Sequence, residues 1–169
     1  MTVWQNQPII RVRKGRYLFT FFINISAGVG GKCSMEGKRL TSYAMEELEC
    51  PKCGHKHSLK KYKVINVTEK AKLKEEIMKN RLYQFSCEEC EYMAPLTYDS
   101  LYVDSRRNIM IYMAPVMNAE IKAEIAELEQ EKGIDKRLVD NINDLKEKIM
   151  IADNHLDDRV IEIIKIMYI

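Results

Sequence analysis

The chain has 169 residues, of which 46% are hydrophobic and 31% charged, and its formal net charge is +2. This apolar content is enough for a buried core and excludes a wholly disordered polypeptide, while the small charge gives no general argument for a nucleic-acid or membrane partner. No run of about 18 apolar residues is present that could cross a bilayer. The five cysteines, four of them in two CxxC pairs, are typical of metal binding in a reducing compartment, so we expect a cytoplasmic protein.

The first 45 residues differ in composition from the rest of the chain. Four basic residues between positions 11 and 16 precede an apolar run over 17–25, and small residues follow, which is the order found in an export signal. Asn24 interrupts the apolar run, however. We therefore predict that residues 1–45 are a disordered leader or the product of a misplaced start, with Met45 as the natural first residue. Two alternatives stay open: an ordered strand, and export directed by residues 11–30.

The first cysteine pair, Cys50 and Cys53, has two residues between its members in the sequence CPKCG. This spacing lets one tight turn, here called a knuckle, present both sulfurs to a single ion. Pro51 fixes φ between the cysteines, and Gly54 is suited to the positive φ at which the chain folds back. The sequence therefore predicts a metal-binding knuckle at this position.

The chain between the two cysteine pairs predicts a strand, a helix and a second strand. Residues 62–67 alternate and are rich in β-branched side chains, which is typical of a strand. Thr68 is a predicted N-cap for an amphipathic helix over 69–79, and Asn80 is its predicted stop. Residues 82–85 then form a predicted strand that leads into the second pair.

The second cysteine pair repeats the two-residue spacing in the sequence CEEC, without Pro or Gly. Two such pairs complete a tetrahedral four-sulfur site for one structural Zn²⁺, and the shell has no open position for a catalytic water. Two alternatives remain: thiol-redox or iron–sulfur chemistry at the CxxC pairs, and four unliganded buried thiols. The predicted metal ligands are Cys50, Cys53, Cys87 and Cys90.

A basic stretch after the first knuckle raises a nucleic-acid hypothesis, because it combines positive charge with the aromatic Tyr62. The alternative is an edge strand whose lysines prevent pairing with other chains. His55 and His57 are alternative metal ligands, but we expect exposed residues at the start of a strand. The candidate nucleic-acid contacts are Lys56, Lys60, Lys61 and Lys63.

Two further strands are predicted after the second knuckle, over 100–103 and 109–113, on either side of the polar turn 104–108. Asp99 and Asp104 are interpreted as turn residues rather than as part of a catalytic cleft with neighbouring tyrosines. No phosphate-binding loop, nucleophile elbow or HExxH helix is present in the sequence. The sequence therefore favours a protein without enzymatic activity.

The acidic segment 116–169 changes to a helical period. One helix is predicted to end at Gly133, a second to cover 135–149, and a third to follow its cap Asp157. These helices are candidates for association with another protein, including self-association. The apolar end of the chain predicts either a buried last helix or a chain that continues past Ile169.

Four motifs occur in the order ECPKCGHKH, FSCEECEY, PLTYDS and IMIYMAP. This order, over about residues 47–115, resembles the bacterial and archaeal CpXC domain, and the later LKEKIMIADNHLDDRVIEIIK resembles the helical extension that often follows it. The resemblance implies metal ligation by the four paired cysteines and a zinc-ribbon-like domain in a family without an established activity. Glu88 and Glu91 replace the Pro and Gly that the family prefers in the second motif.

These observations predict an α+β protein. Residues 46–115 are expected to form a small antiparallel, zinc-ribbon-like β domain with one inserted helix, and residues 116–169 a helical extension. The predicted function is a non-enzymatic binding module stabilised by one Zn²⁺. Its partner is an unidentified macromolecule, and we favour a protein over nucleic acid because the net charge is so small.

Overall fold

The structure, a computed structural model, describes residues 39–167. Seven strands are present in this part of the chain: β1 (Ser42–Glu49), β2 (Lys56–Asn66), β3 (Gln84–Ser86), β4 (Met93–Pro95), β5 (Ser100–Asp104), β6 (Ile109–Met113) and β7 (Asp135–Val139). The helices are α1 (Lys72–Met78), α2 (Ala119–Glu129), α3 (Ile142–Asp153) and α4 (Asp158–Met167), and a short 3₁₀ helix, Arg81–Tyr83, precedes β3.

Five of the strands form one mixed sheet in the order β1-β2-β5-β6-β7, and β3 pairs with β4 in a separate antiparallel hairpin. The neighbours β1–β2 and β5–β6 are antiparallel, whereas β2–β5 and β6–β7 are parallel. The predicted α+β class is confirmed. In the predicted domain 46–115 the pairs β1–β2, β3–β4 and β5–β6 are antiparallel as expected, whereas β2–β5 is parallel. Both parallel pairs are joined by crossovers that contain a helix, α1 in the first and α2 in the second, as parallel strands require.

The strand β7 corrects the prediction of a helix over 135–149, because the first five residues of that range are extended. Leu138 and Val139 fit the helical period of the residues that follow, but β7 pairs with β6 and the Val139 carbonyl accepts the Ala114 N–H at 2.8 Å. Strand alternation is visible in the burial, since Val139 is buried and Leu138 exposed. Pairing with a distant strand therefore overrides the local period.

The sheet has a hydrophobic core on each face. Alternate residues of β5 divide between the two cores, so that Tyr102 faces α1 and α3 while Leu101 and Val103 face α2. Every residue of β5 and of β6 is buried. Both faces depend on helices after residue 115, and the predicted domain boundary at that residue remains a prediction.

The amino-terminal predictions fall mostly outside the described residues, since residues 1–38, which include the apolar run 17–25 and Cys33, are not among them. Of the predicted leader, residues 39–45 are described, and they contain the first part of β1. Met45 pairs there with Lys60 of β2. Between residues 39 and 167, no helix has the length and apolar character that a membrane span requires.

The predicted helix caps are partly confirmed. Asn80 ends α1 in the left-handed conformation, with φ of 62°, as expected for a helix stop. Thr68, however, is not the cap: α1 begins later, at Lys72, and the Thr68 hydroxyl instead accepts the Ser105 N–H at 2.8 Å. The third predicted helix is α4, and its predicted cap Asp157 accepts the N–H of Arg159 at 3.0 Å.

Candidate metal centre

The two cysteine pairs lie at the ends of two hairpins. Residues 43–49 of β1 pair with residues 56–62 of β2 to form a two-stranded arm, since β2 joins β5 only through Val64, Ile65 and Asn66. The first knuckle closes this arm. The second knuckle closes the β3–β4 hairpin, whose strands are paired from Gln84 to Pro95. The fold therefore brings together two chain reversals that are distant in sequence.

The two knuckles have the same backbone geometry. In the first, the Gly54 N–H donates to the Cys50 carbonyl at 2.8 Å, and the Cys50 N–H donates to the His55 backbone carbonyl at 2.8 Å. In the second, the Glu91 N–H donates to the Cys87 carbonyl at 3.1 Å, and the Cys87 N–H donates to the Tyr92 carbonyl at 2.8 Å. The sequence CEEC thus forms the same turn as CPKC, although it has neither Pro nor Gly.

The four sulfur atoms converge. The Cys50 and Cys90 sulfurs are 3.6 Å apart, the Cys53 and Cys87 sulfurs are 3.5 Å apart, and all four lie within 4.8 Å of one another. Four sulfurs about 2.3 Å from a central ion in a tetrahedron would be about 3.8 Å apart. A disulfide requires about 2.05 Å, and all four cysteines are free. The cluster therefore has the spacing of a four-thiolate metal site and could hold a metal ion.

A small apolar cluster lies beneath the sulfurs. Cys50, Phe85 and Cys87 are buried together, and Leu59, Cys90, Tyr92 and Leu96 pack against them. Cys53 is exposed and Cys90 half-buried, so the four sulfurs are not fully enclosed by the protein. This third cluster contains few residues, and Leu96 connects it to the core of the sheet that contains Tyr102.

The protonation of the thiols reflects their crowding. Burial raises the pKa of Cys50, but backbone N–H donors at Lys52 and Cys53, with the neighbouring thiols, outweigh it and lower the pKa to about 7. A backbone hydrogen bond from His55 lowers the pKa of Cys53, yet desolvation and the three neighbouring thiols raise it to about 12 overall. Burial also raises the pKa of Cys90. Four thiolates this close would repel one another, so their joint ionisation calls for a cation.

His57, which the sequence offered only as an alternative metal ligand, lies beside the four cysteines. Its Nε2 lies 3.2 Å from the Cys87 sulfur, and its ring makes an edge contact with Phe85 at 5.4 Å between centroids. His57 lies at the start of β2 as predicted but is half-buried and not exposed, whereas His55 is exposed as predicted. His57 shares a strand face with Leu59, which packs under the cysteines, and that alternation was the available signal.

The positive φ positions of the knuckles give a testable asymmetry. Gly54 has φ of 72° and Glu91 has φ of 57°, a region that costs an L-residue about 1–2 kcal/mol and glycine almost nothing. We expect Gly54→Ala to lower the free energy of unfolding by about 1 kcal/mol and Glu91→Gly to raise it by up to about 1 kcal/mol. A Cβ at Gly54 has room, with its nearest neighbour at 3.6 Å, so backbone strain alone causes the loss.

Thermal and denaturant unfolding of the two variants beside the parent protein would measure these changes. Both variants should be compared with metal at a fixed excess, so that differences in metal content do not enter the result. Equal signs for the two substitutions would contradict the equivalence of the knuckles.

The four candidate nucleic-acid contacts are placed in different surroundings. Lys61 pairs with Glu46 at 2.6 Å, and Lys63 pairs with Asp99 at 3.2 Å. The Lys60 ammonium lies 4.8 Å from the Tyr43 ring centroid, and Lys56 is opposite Glu49 in the arm. Nucleic-acid contact by these lysines remains a prediction, and two of them are already engaged by carboxylates.

The two aspartates that were predicted to be turn residues, Asp99 and Asp104, have separate roles. The Asp104 carboxylate accepts the N–H groups of Arg106 at 3.0 Å and Arg107 at 3.3 Å, so it closes the β5–β6 turn as predicted. Asp99 does not form a turn and instead pairs with Lys63. Of the two aspartates, only Asp104 therefore has the predicted structural role.

A second group of metal-type ligands is an ion-pair network. The carboxylates of Glu147, Asp158 and Glu162 lie within 4.8 Å of one another. The Lys148 ammonium lies among them, 3.1 Å from Glu147 and 2.7 Å from Asp158 and bonded to Glu162. Arg137 and Lys165 also pair with these carboxylates, so three cationic side chains balance the three negative charges and the group offers no cation site. Its role is to attach α4 to α3.

Comparison with known proteins identifies the family. A family model described as CpXC protein matches residues 48–165. No curated protein and no solved structure matches the chain. The matched span contains both knuckles and continues through the helices as far as α4, so it confirms the resemblance and extends it over most of the chain. The chain therefore belongs to the CpXC protein family.

Proposed function

We propose that the four cysteines bind one structural Zn²⁺, and that the protein is a zinc-stabilised binding module rather than an enzyme. The observation that carries this proposal is the convergence of four free sulfurs within 4.8 Å from two equivalent knuckles. Without a bound cation this arrangement would be unfavourable, because four neighbouring thiolates repel one another and their ionisation is opposed. A dication removes that penalty.

Zinc is the metal favoured by the chemistry of the donors. Thiolates are soft ligands, so Mg²⁺ and Ca²⁺, which prefer oxygen, do not suit the site. Iron also accepts four tetrahedral sulfurs and is the main competitor. A thiol-redox function would need one CxxC pair to act alone, whereas here each knuckle contacts the other through Cys50–Cys90 and Cys53–Cys87. Zinc held by all four sulfurs would prevent such cycling.

The proposed role of the ion is to join two hairpins. Cys50 and Cys90 are 40 residues apart and Cys53 and Cys87 are 34 residues apart. The ion would therefore cross-link two hairpins that otherwise share a small apolar cluster and a few polar contacts, such as the one between His57 and Cys87. All four coordination positions are taken by protein sulfurs, which leaves none for a reacting water. The proposed centre therefore stabilises the arrangement of the two hairpins and does not catalyse a reaction.

Metal analysis of the purified protein tests the proposal. We expect one zinc per chain, a colourless protein, and exchange by Co²⁺ to give the strong visible absorption of a tetrahedral thiolate complex. Iron in stoichiometric amount would replace zinc in the proposal and leave the four-sulfur site intact. A protein that binds no metal and forms a Cys50–Cys53 disulfide reversibly would support the redox function instead.

The contact between His57 and Cys87 predicts a specific effect on metal affinity. Replacing His57 by Phe keeps the apolar contact with Phe85 but removes the hydrogen bond to the sulfur, and partners of this kind typically affect metal affinity by about 10–100-fold. We expect zinc affinity to fall by roughly tenfold. Competition with a chromophoric chelator would measure the change.

The matched control for this variant is His55→Phe. His55 is exposed, and its ring contacts the His57 ring at 4.8 Å between centroids. We expect its replacement to alter zinc affinity by less than about threefold. Equal losses for both variants would show that the basic arm, and not the hydrogen bond to Cys87, affects the metal.

The arm also bears on the choice of partner. Tyr43 and Met45 are about half exposed on the face of the arm that carries Lys60, and Glu47 lies on the same face. This mixture of apolar, basic and acidic groups suits a protein surface better than the phosphate backbone of a nucleic acid. Retention on single- or double-stranded nucleic acid that falls steeply with salt would replace the protein partner by a nucleic acid.

A further inference from the structure

Helix α4 is attached to the rest of the molecule through its charged side. Asp158 pairs with Arg137 and with Lys148, each at 2.7 Å, and Lys165 pairs with Glu147 at 3.0 Å. Glu162 completes the contact with Lys148. These pairs connect α4 to β7 and α3, and they fix which side of the helix faces the protein.

The opposite side of α4 is an exposed apolar stripe, defined here as Val160, Ile163, Ile164 and Met167. Their side chains are 51%, 57%, 43% and 76% exposed, and α4 has no buried residue. The spacing i, i+3, i+4 and i+7 places them along one face of the helix. A surface helix normally turns such a face inward and its charges outward, and α4 does the reverse.

The stripe is large for a monomer and small for a stable interface. Together with Leu156, which is 51% exposed, its area is a few hundred Å², comparable with the largest apolar patches on monomers. A standard interface buries about 800 Å² on each partner. A partner seated on the stripe would therefore gain apolar burial, but the complex would be weak and dependent on concentration.

We propose that the stripe is the self-association surface of this chain, and that a second copy covers it through the same four residues across a two-fold axis. The stripe contains no charged residue, while Asp158, Glu162 and Lys165 are held on the other side of the helix. Arg159, which lies one turn before Ile163, is paired with Asp157 at 2.5 Å, so two copies can meet without bringing unpaired like charges together. If the two helices pair antiparallel, the positive end of each helix dipole lies beside the negative end of the other, which is favourable.

Analytical ultracentrifugation of the full chain between low micromolar and millimolar concentrations tests the proposal. We expect a monomer–dimer equilibrium with a dissociation constant on the order of 100 μM. Ile164→Lys should raise this constant at least tenfold, because it places a charge in the centre of an apolar contact. Val160→Lys should do the same, and it serves as a second test should Ile164→Lys disturb the fold.

The matched control is Met45→Lys, which also places a lysine at an exposed apolar residue. Met45 is 55% exposed and lies on β1 in the arm, outside α4 and its stripe. We expect the control to change the dissociation constant by less than threefold and all variants to retain the parent circular dichroism. A chain that stays monomeric at millimolar concentration would overturn the proposal, and so would a dimer that both stripe variants leave unchanged. Neither result depends on which metal the cysteines bind.

Discussion

Removal of the proposed zinc ion is expected to release the arm end and the β3–β4 hairpin while the five-stranded sheet stays folded. The apolar cluster beneath the cysteines has only three buried members, two of which are themselves cysteines, so little else holds this region. Structural zinc sites contribute about 10–16 kcal/mol of apparent binding free energy, and chelation would remove that contribution from these segments. Amide hydrogen exchange, with and without chelator, should show lost protection in residues 48–59 and 84–96 and retained protection in β5 and β6.

Cysteine variants provide the control for this experiment. Cys87→Ser should reproduce the exchange pattern of the chelated protein, because it removes one of the four proposed ligands. The Cys87 side chain is buried within the cluster. Cys33→Ser changes a cysteine that lies outside the described residues and has no CxxC partner, and it should leave metal content unchanged. Simultaneous loss of protection in β5 and β6 would instead mean that the ion supports the whole sheet.

Replacement of Leu145 by Ala is expected to destabilise the protein by about 3 kcal/mol, within the range of about 2–5 kcal/mol for large-to-small changes in a core. Leu145 of α3 is fully buried and belongs to the core that contains Tyr102 and Ile111. For a protein of this size the loss corresponds to a melting temperature lower by roughly 6–12 °C. Thermal unfolding followed by circular dichroism would measure it.

Met150→Ala on the same helix is the comparison for this variant. Met150 is 47% exposed, so its truncation should cost less than about 1 kcal/mol. Similar small effects for both substitutions would mean that α3 is only loosely docked, and that residues 46–115 form the stable unit without it. A large effect at Leu145 alone would place α3 within the same cooperative structure as the sheet.

The sequence predicted best those features that depend on neighbouring residues. The two knuckles, the stop at Asn80 and the paired strands β5 and β6 are local, because their turn residues and alternation lie within a few positions of one another. The grouping of the four cysteines was also accessible from the sequence, since CxxC spacing expresses the geometry of the turn itself. The structure brings these four sulfurs together as expected.

The features that the sequence did not predict depend on distant partners. β7 is extended because it pairs in parallel with β6, although the spacing of its apolar residues continues the helical period of α3. His57 reaches Cys87 only because the arm and the β3–β4 hairpin meet in space. The outward stripe of α4 follows from ion pairs with β7 and α3, and an amphipathic pattern alone does not say which side faces the protein.

The position of β7 in the sequence affects the order in which parts of the structure can form during synthesis. The last cysteine of the centre is residue 90, whereas β7 ends at Val139 and the buried part of α3 extends to Ile151. During synthesis the ribosome releases both knuckles before the edge strand that completes the sheet. The proposed zinc ion can therefore bind a nascent chain in which β6 has not yet paired with β7, so we expect metal loading to precede completion of the core.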